Sequence, residues 1–126
     1  MPTGVVARGL ALLAAGVTGA ALAVLASALH RMVWRTDLVT LPWGLALGVA
    51  TSVLCGVAAG VLFGRRAGTL PLCAGWVVTV FWLLRGRPEG DYLVAADALG
   101  WTFLGVSVAA MAVLAGTSLT GRRPPP

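Results

Sequence analysis

Few residues in this chain could carry chemistry. Its 126 residues include one His, four carboxylates and two Cys, and its nine basic residues are all arginine. A catalytic triad or a multi-ligand metal centre would have to draw on that short list. Asp97 is the sharpest candidate, because it lies in a long apolar stretch, where an ionisable group is costly and marks a proton or cation site. It could equally be half of a buried pair with Arg31, Arg35, Arg85 or His30, or a carboxyl kept neutral. The densest charged run is Arg85-Gly86-Arg87-Pro88-Glu89-Gly90-Asp91. Pro88 and Gly90 suit it to a defined turn that presents Arg85, Arg87, Glu89 and Asp91 together, or that simply ends two helices. His30, beside Arg31, reads as an interfacial residue rather than a ligand. Cys55 and Cys73 fall at similar depths in apolar segments and read as small hydrophobes. The chain has no CxxC, phosphate loop, HExxH or nucleophile elbow. The expectation is a protein that is not an enzyme and needs no cofactor or metal.

The elements that position these residues follow from hydropathy. At 59% hydrophobic, 10% charged and a mean hydropathy of +0.94, the chain lacks the polar residues that would cover a water-soluble domain. Between the arginines lie four apolar stretches, about residues 9–29, 41–63, 67–84 and 92–117. Each approaches the ~20 residues that cross a ~30 Å hydrocarbon core as a helix. Backbone groups in lipid must be satisfied within the segment, and no barrel-like alternation is present. The expected fold is an all-α integral membrane four-helix bundle in a single domain, 1–126. Short loops should make consecutive helices antiparallel neighbours, and a basic, Pro-rich tail covers 118–126.

The net charge of +5 reads as a topology signal rather than a nucleic-acid or other anionic binding patch. Arg8, Arg65, Arg66, Arg122 and Arg123 fall on one side, and Arg31, Arg35, Arg85 and Arg87 on the other, where Asp37, Glu89 and Asp91 nearly cancel them. The positive-inside rule then places both termini in the cytoplasm. The first apolar run is longer than a ~7–15-residue signal core, so the first helix is expected to be retained.

Packing signals are strongest in the second helix, where Gly44, Gly48, Ser52, Gly56, Gly60 and Gly64 fall at every fourth position. Lipid gives helices no hydrophobic reason to associate, so close backbone approach must supply the attraction, and small residues permit it. Four residues advance 400°, so the ridge drifts by ~40° per step and can meet two neighbours. Gly9, Gly16, Ala20, Ala23 and Ser27 suggest a similar face on the first helix, running on to His30. Pro71, Gly75, Thr79 and Trp82 align on the third. On the fourth, Asp97, Trp101, Gly105, Val108, Ala112 and Gly116 share a sector expected to face protein. Polar and aromatic residues gather on the side away from the termini, as interfacial anchors or as a vestibule floored by Asp97.

The run Ala74-Gly75-Trp76, followed by Arg87-Pro88-Glu89-Gly90-Asp91-Tyr92, resembles an uncharacterised family of small four-span actinobacterial membrane proteins with an RPEGD turn between the last two helices. The resemblance implies a multi-pass plasma-membrane protein with no assigned activity. Small multidrug transporters, with a first-helix glutamate, and fluoride channels, with embedded Asn, are similar in size but do not fit this alphabet. The combined expectation is a structural or accessory membrane component acting through helix packing. Its partners would be the bilayer and a second copy or another membrane protein, not nucleic acid. The alternative is a small-solute or proton-coupled transporter with Asp97 as coupling acid.

Overall fold

The computed structural model describes residues 2–85, 94 and 96–121. The first helix, α1, is Pro2–Leu29, and α2 is Trp43–Phe63. A π-helical turn, Arg65–Thr69, runs directly into α3, Leu70–Leu83, and α4 is Ala98–Thr120. Four helical segments, Thr3–Leu29, Trp43–Phe63, Arg65–Leu83 and Ala98–Thr120, are long and apolar enough to cross a membrane. Between α1 and α2 sits an element absent from the sequence reading. It is a short antiparallel hairpin of β1, Trp34–Arg35, and β2, Thr40–Leu41, with Trp34 opposite Leu41. Thr36 closes its tip, its Oγ donating to the Val39 carbonyl while accepting from the Val39 N–H.

Three boundaries differ from the sequence expectation. Helix α1 starts at Pro2 rather than Gly9, because Arg8 can stay in the helix with its head at the polar edge. The link from α2 to the third span shrinks to Gly64, whose φ of 85° is readily available to a residue without Cβ. Helix α4 begins at Ala98 rather than Tyr92, which leaves Asp97 outside the helix as its N-cap.

The helices are ordered α1, α2, α4, α3 around the bundle. Adjacency of consecutive helices holds for α1 with α2 and for α3 with α4, but α2 and α3 meet chiefly through the π-turn, and the closest pairing is α1 with α3. That pair runs parallel: Gly16 lies beside Pro71 and Gly75, and Gly19 beside Leu72 and Trp76. A Cβ at Gly19 would run into the Leu72 carbonyl, and one at Gly75 into the Gly16 carbonyl. No side chain larger than hydrogen fits at either place. The buried face of α1 is accordingly Ala15, Gly19, Ala23, Ala26 and Ser27, one step round from the face expected. Gly16 and Ala20 are only half-buried, at its margin.

The core is small. Trp76 and Val80 of α3 and Phe103 and Met111 of α4 fill the centre against Ala23 and Ala26, with Val94 packed beside them. A second cluster, Ala15, Ala59 and Leu72, lies toward the end that holds Gly64. Most other large apolar side chains point outward, among them Val61, Leu54, Val78 and Val113. That inversion suits an apolar surrounding solvent. On α4 most of the expected inward sector faces outward: Trp101 is 65% exposed and a Cβ at Gly105 or Gly116 would meet nothing within 4 Å, while Val108, half-buried at its edge, still packs on the core. The inward face carries Gly100, Phe103, Ser107, Met111 and Ser118. Bulk explains the reversal, because the glycine- and alanine-lined faces of α1 and α2 leave a centre that Trp76 of α3 fills together with Phe103 and Met111 of α4.

Candidate functional site

The candidate polar residues converge at the end of the bundle that carries the hairpin. Helix α1 ends at Leu29, and the His30 N–H still donates to the Ala26 carbonyl, so His30 keeps helical register and its ring turns inward. Arg31 then reaches across to Asp97. Its Nη2 donates to Asp97 Oδ2 at 2.7 Å, while Asp97 Oδ1 accepts the Gly100 N–H at 2.8 Å. One carboxylate therefore caps α4 and ties it to the end of α1. Both side chains are nearly half exposed, 47% and 44%. The Gly100 N–H first, then the Arg31 guanidinium, holds the Asp97 carboxyl below its usual range. An ionised, capped and paired Asp97 at the helix start is not the acid within a span that its sequence context suggested.

His30 is the deeper group. Its side chain is wholly buried, and its ring stacks on Phe103 with centroids 4.6 Å apart. Nδ1 lies 2.5 Å from the Ser27 carbonyl, which can only accept, so Nδ1 carries the proton. Nε2 then presents a lone pair to the interior. It has no hydrogen-bond partner among the described residues, and neither have the buried hydroxyls of Ser27 and Ser107. Burial pushes the His30 pKa below its ordinary 6.5, with Arg31 adding to the effect; the Ser27 hydrogen bond and the Asp97 charge oppose it. Neutral imidazole is the form this site holds at pH 7.

One turn further in, Trp76 Nε1 donates to Ser52 Oγ at 3.1 Å, and Ser52 Oγ donates to the Gly48 carbonyl at 2.8 Å. The second-helix ridge thus meets a different neighbour at almost every step. Gly44 and Gly48 lie against Leu29 and Ala26 of α1, Ser52 against Trp76, Gly56 against Leu114 of α4, and Gly60 against Thr69 of the π-turn. Gly44, Gly48, Ser52 and Gly56 are buried, Gly60 is half-buried, and Gly64 is exposed in the link. The drift of a four-residue repeat is visible in that succession of partners.

The remaining candidates separate from this cluster. Arg85 is exposed just past α3. Arg87, Glu89 and Asp91 lie outside the described residues, as does the turn that holds them. Cys55 and Cys73 are free, one half-buried and one buried. The described residues contain no grouping of three or more His, Cys, Asp or Glu that could hold a metal ion. At the hairpin end a cavity of about 520 Å³ opens between Arg31, Arg35, Pro42, Leu45 and Leu99, with mostly apolar walls, and Asp97 does not line it. Sequence reasoning missed Phe103 and Ser107 on the inner face of α4, and also Gly19, although Ala15, Gly19, Ala23 and Ser27 repeat at every fourth position.

Fold and site together define a bundle of four helices apolar enough to span a membrane, tied across elements by the side chains of Arg31 and Asp97, of Trp76 and Ser52, and of Thr69. The chain matches the DUF6113 family of unknown function over residues 2–126 and belongs to that family. No curated protein and no solved structure matches it.

Proposed function

We propose that this protein is a non-enzymatic structural or accessory component of an actinobacterial plasma membrane, with both termini cytoplasmic, that works by associating with a helix of another protein in the bilayer. The observation that carries the reading is the outer face of α4, where Gly105 and Gly116 stand open beside Ala112 and Trp101 while the comparable residues of α2 are taken up inside the bundle. Small residues facing lipid let another backbone approach closely, which is how helices associate without a hydrophobic drive. Asp97 is committed to a cap and an ion pair, which supports a role without catalysis.

Affinity purification of the tagged protein from its native membrane tests this reading. A stoichiometric membrane protein should accompany the wild type and be lost with Gly105→Leu, at equal yield of folded bundle. Recovery of the chain with no such companion, or of the same companion with the variant, would contradict it.

A second reading, a small-solute or proton-coupled transporter, has one observation in its favour. Ser27 Oγ, His30 Nε2 and Ser107 Oγ are buried without hydrogen-bond partners among the described residues. Its coupling group would be His30 rather than Asp97. Proteoliposome flux that survives Asp97→Asn and is abolished by His30→Gln would favour it, and no flux in the wild type would end it.

A further inference from the structure

The opposite end of the bundle holds a different kind of site. Arg8 on α1 and Arg65 and Arg66 of the π-turn line one open cavity of about 690 Å³, closed on its other sides by Phe63, Ala11 and the end of α4 at Ser118 and Gly121. Read along the chain, these arginines mark topology; in space they surround one volume. The described carboxylates, Asp37 and Asp97, belong to the far end, in the hairpin link and at the start of α4. Three arginines therefore line a cavity that no described carboxylate lines.

The backbone beneath the arginine pair is held in place. The Gly64 carbonyl accepts the N–H groups of Ala67 and Gly68, and Thr69 Oγ donates to the Gly56 carbonyl at 3.0 Å. Gly68 lies so tightly on Ala59 that a Cβ there would strike the Ala59 carbonyl. Arg65 lies along the end of α4: its Nη1 is 2.9 Å from where a Cβ on Gly121 would sit, so the missing side chain leaves room for the guanidinium. A π-turn is uncommon and recurs at functional sites.

We propose that this cavity binds the phosphate of an anionic phospholipid. Guanidinium groups match phosphate oxygens in geometry as well as charge. The same cavity offers Phe63 and Ala11 as apolar walls, and Phe63 is half exposed beside the outward-facing Leu62. An amphiphile with a phosphate head and acyl chains satisfies both parts of that lining, whereas inorganic phosphate satisfies only the arginines. Basic pockets between spanning helices are a known form of lipid headgroup site.

Native mass spectrometry of the detergent-purified chain, with phosphatidylglycerol or phosphatidylcholine added at equal concentration, tests the assignment. Phosphatidylglycerol should bind at least about tenfold better, and each of Arg8→Gln, Arg65→Gln and Arg66→Gln should weaken it on the order of fivefold. Arg35→Gln, at the other end, should leave it unchanged. On the wild type alone, raising salt should erode the preference, which keeps the test independent of variant folding. Equal binding of the two lipids, a salt-independent preference, or an equal loss with Arg35→Gln would overturn the proposal. Saturable binding of inorganic phosphate that fully displaces the lipid would also overturn it, by assigning the cavity to free phosphate.

Discussion

Arg31 Nη2 and Asp97 Oδ2 lie 2.7 Å apart, joining the end of α1 to the start of α4 across 66 residues of sequence. The same carboxylate receives the Gly100 N–H, so removing the acid and removing its charge are different experiments. Asp97→Ala loses both cap and pair. Asp97→Asn keeps a good capping side chain and loses only the ionic part. In detergent melts Asp97→Ala should lower Tm by more than Asp97→Asn, and Arg31→Ala should resemble the Asn variant. Equal losses for Ala and Asn would show that the cap contributes nothing.

His30 predicts a pH dependence with a defined sign. Its folded pKa lies below its ordinary value of 6.5, so in that interval the unfolded chain binds a proton that the folded chain does not. Stability is then fully present above 6.5 and falls as pH drops toward the folded pKa. Asp97 is also depressed, but from 3.8, so its contribution is lost only at lower pH. Tm should decline as pH falls below about 6.5 in the wild type, and His30→Phe, which keeps a ring against Phe103, should flatten that decline. An unchanged slope in the variant would remove His30 from the account.

The glycines divide into two predicted classes. At Gly19, Gly44 and Gly75 an added Cβ meets backbone of a neighbouring helix or its end. Even Ala there should cost about 1–3 kcal/mol or more, because two helices must separate. At Gly105 the same substitution meets open space, and folded yield and Tm should hold. Thermal melts of the four Ala variants check the division, and a Gly105→Ala loss as large as that of Gly75→Ala would contradict it.

Trp76 supplies a further test. Replacing it with Phe removes the Nε1 donor to Ser52 Oγ, while Ser52 still donates to the Gly48 carbonyl. The lost hydrogen bond should cost about 0.5–1.5 kcal/mol, with an added loss for the smaller ring. Ser52→Ala, which strands the indole N–H in the interior, should be destabilising too, and a neutral result in both variants would show the bond to be energetically idle.

The four long apolar helices and the small-residue spacing from Gly44 to Gly60 were legible in sequence because both depend on local periodicity and composition. Its partners change along its length, from α1 at Gly44 and Gly48 to Trp76 at Ser52, Leu114 at Gly56 and Thr69 at Gly60, as a ~40° drift per step requires. What sequence could not show was which helix faces which. Gly105 and Gly116 on α4 look like Gly48 and Gly56 on α2, yet one pair faces outward and the other inward. The difference depends on tertiary volume: with Gly16, Gly19 and Gly75 bringing α1 onto α3, the remaining gap is wide enough for Phe103 and Met111. Asp97 was misplaced because helix α4 starts six residues later than hydropathy suggests, and a capping Asp is itself apolar-flanked. The Arg8, Arg65 and Arg66 cavity was hidden because arginines spread along a chain show their convergence only in three dimensions.

The central claim is that the bundle associates through the outer face of α4. With Cys55 and Cys73 replaced by Ala, single cysteines at Gly105 on α4, Val61 on α2 and Val78 on α3 place a thiol on three outward faces. In native membranes, with each thiol carrying a short photoreactive cross-linker that needs no second thiol, the account predicts one discrete adduct to another protein, not to a second copy, with Gly105→Cys and none with Val61→Cys or Val78→Cys. Cross-linking of equal extent from all three faces, or from α2 or α3 alone, would contradict it.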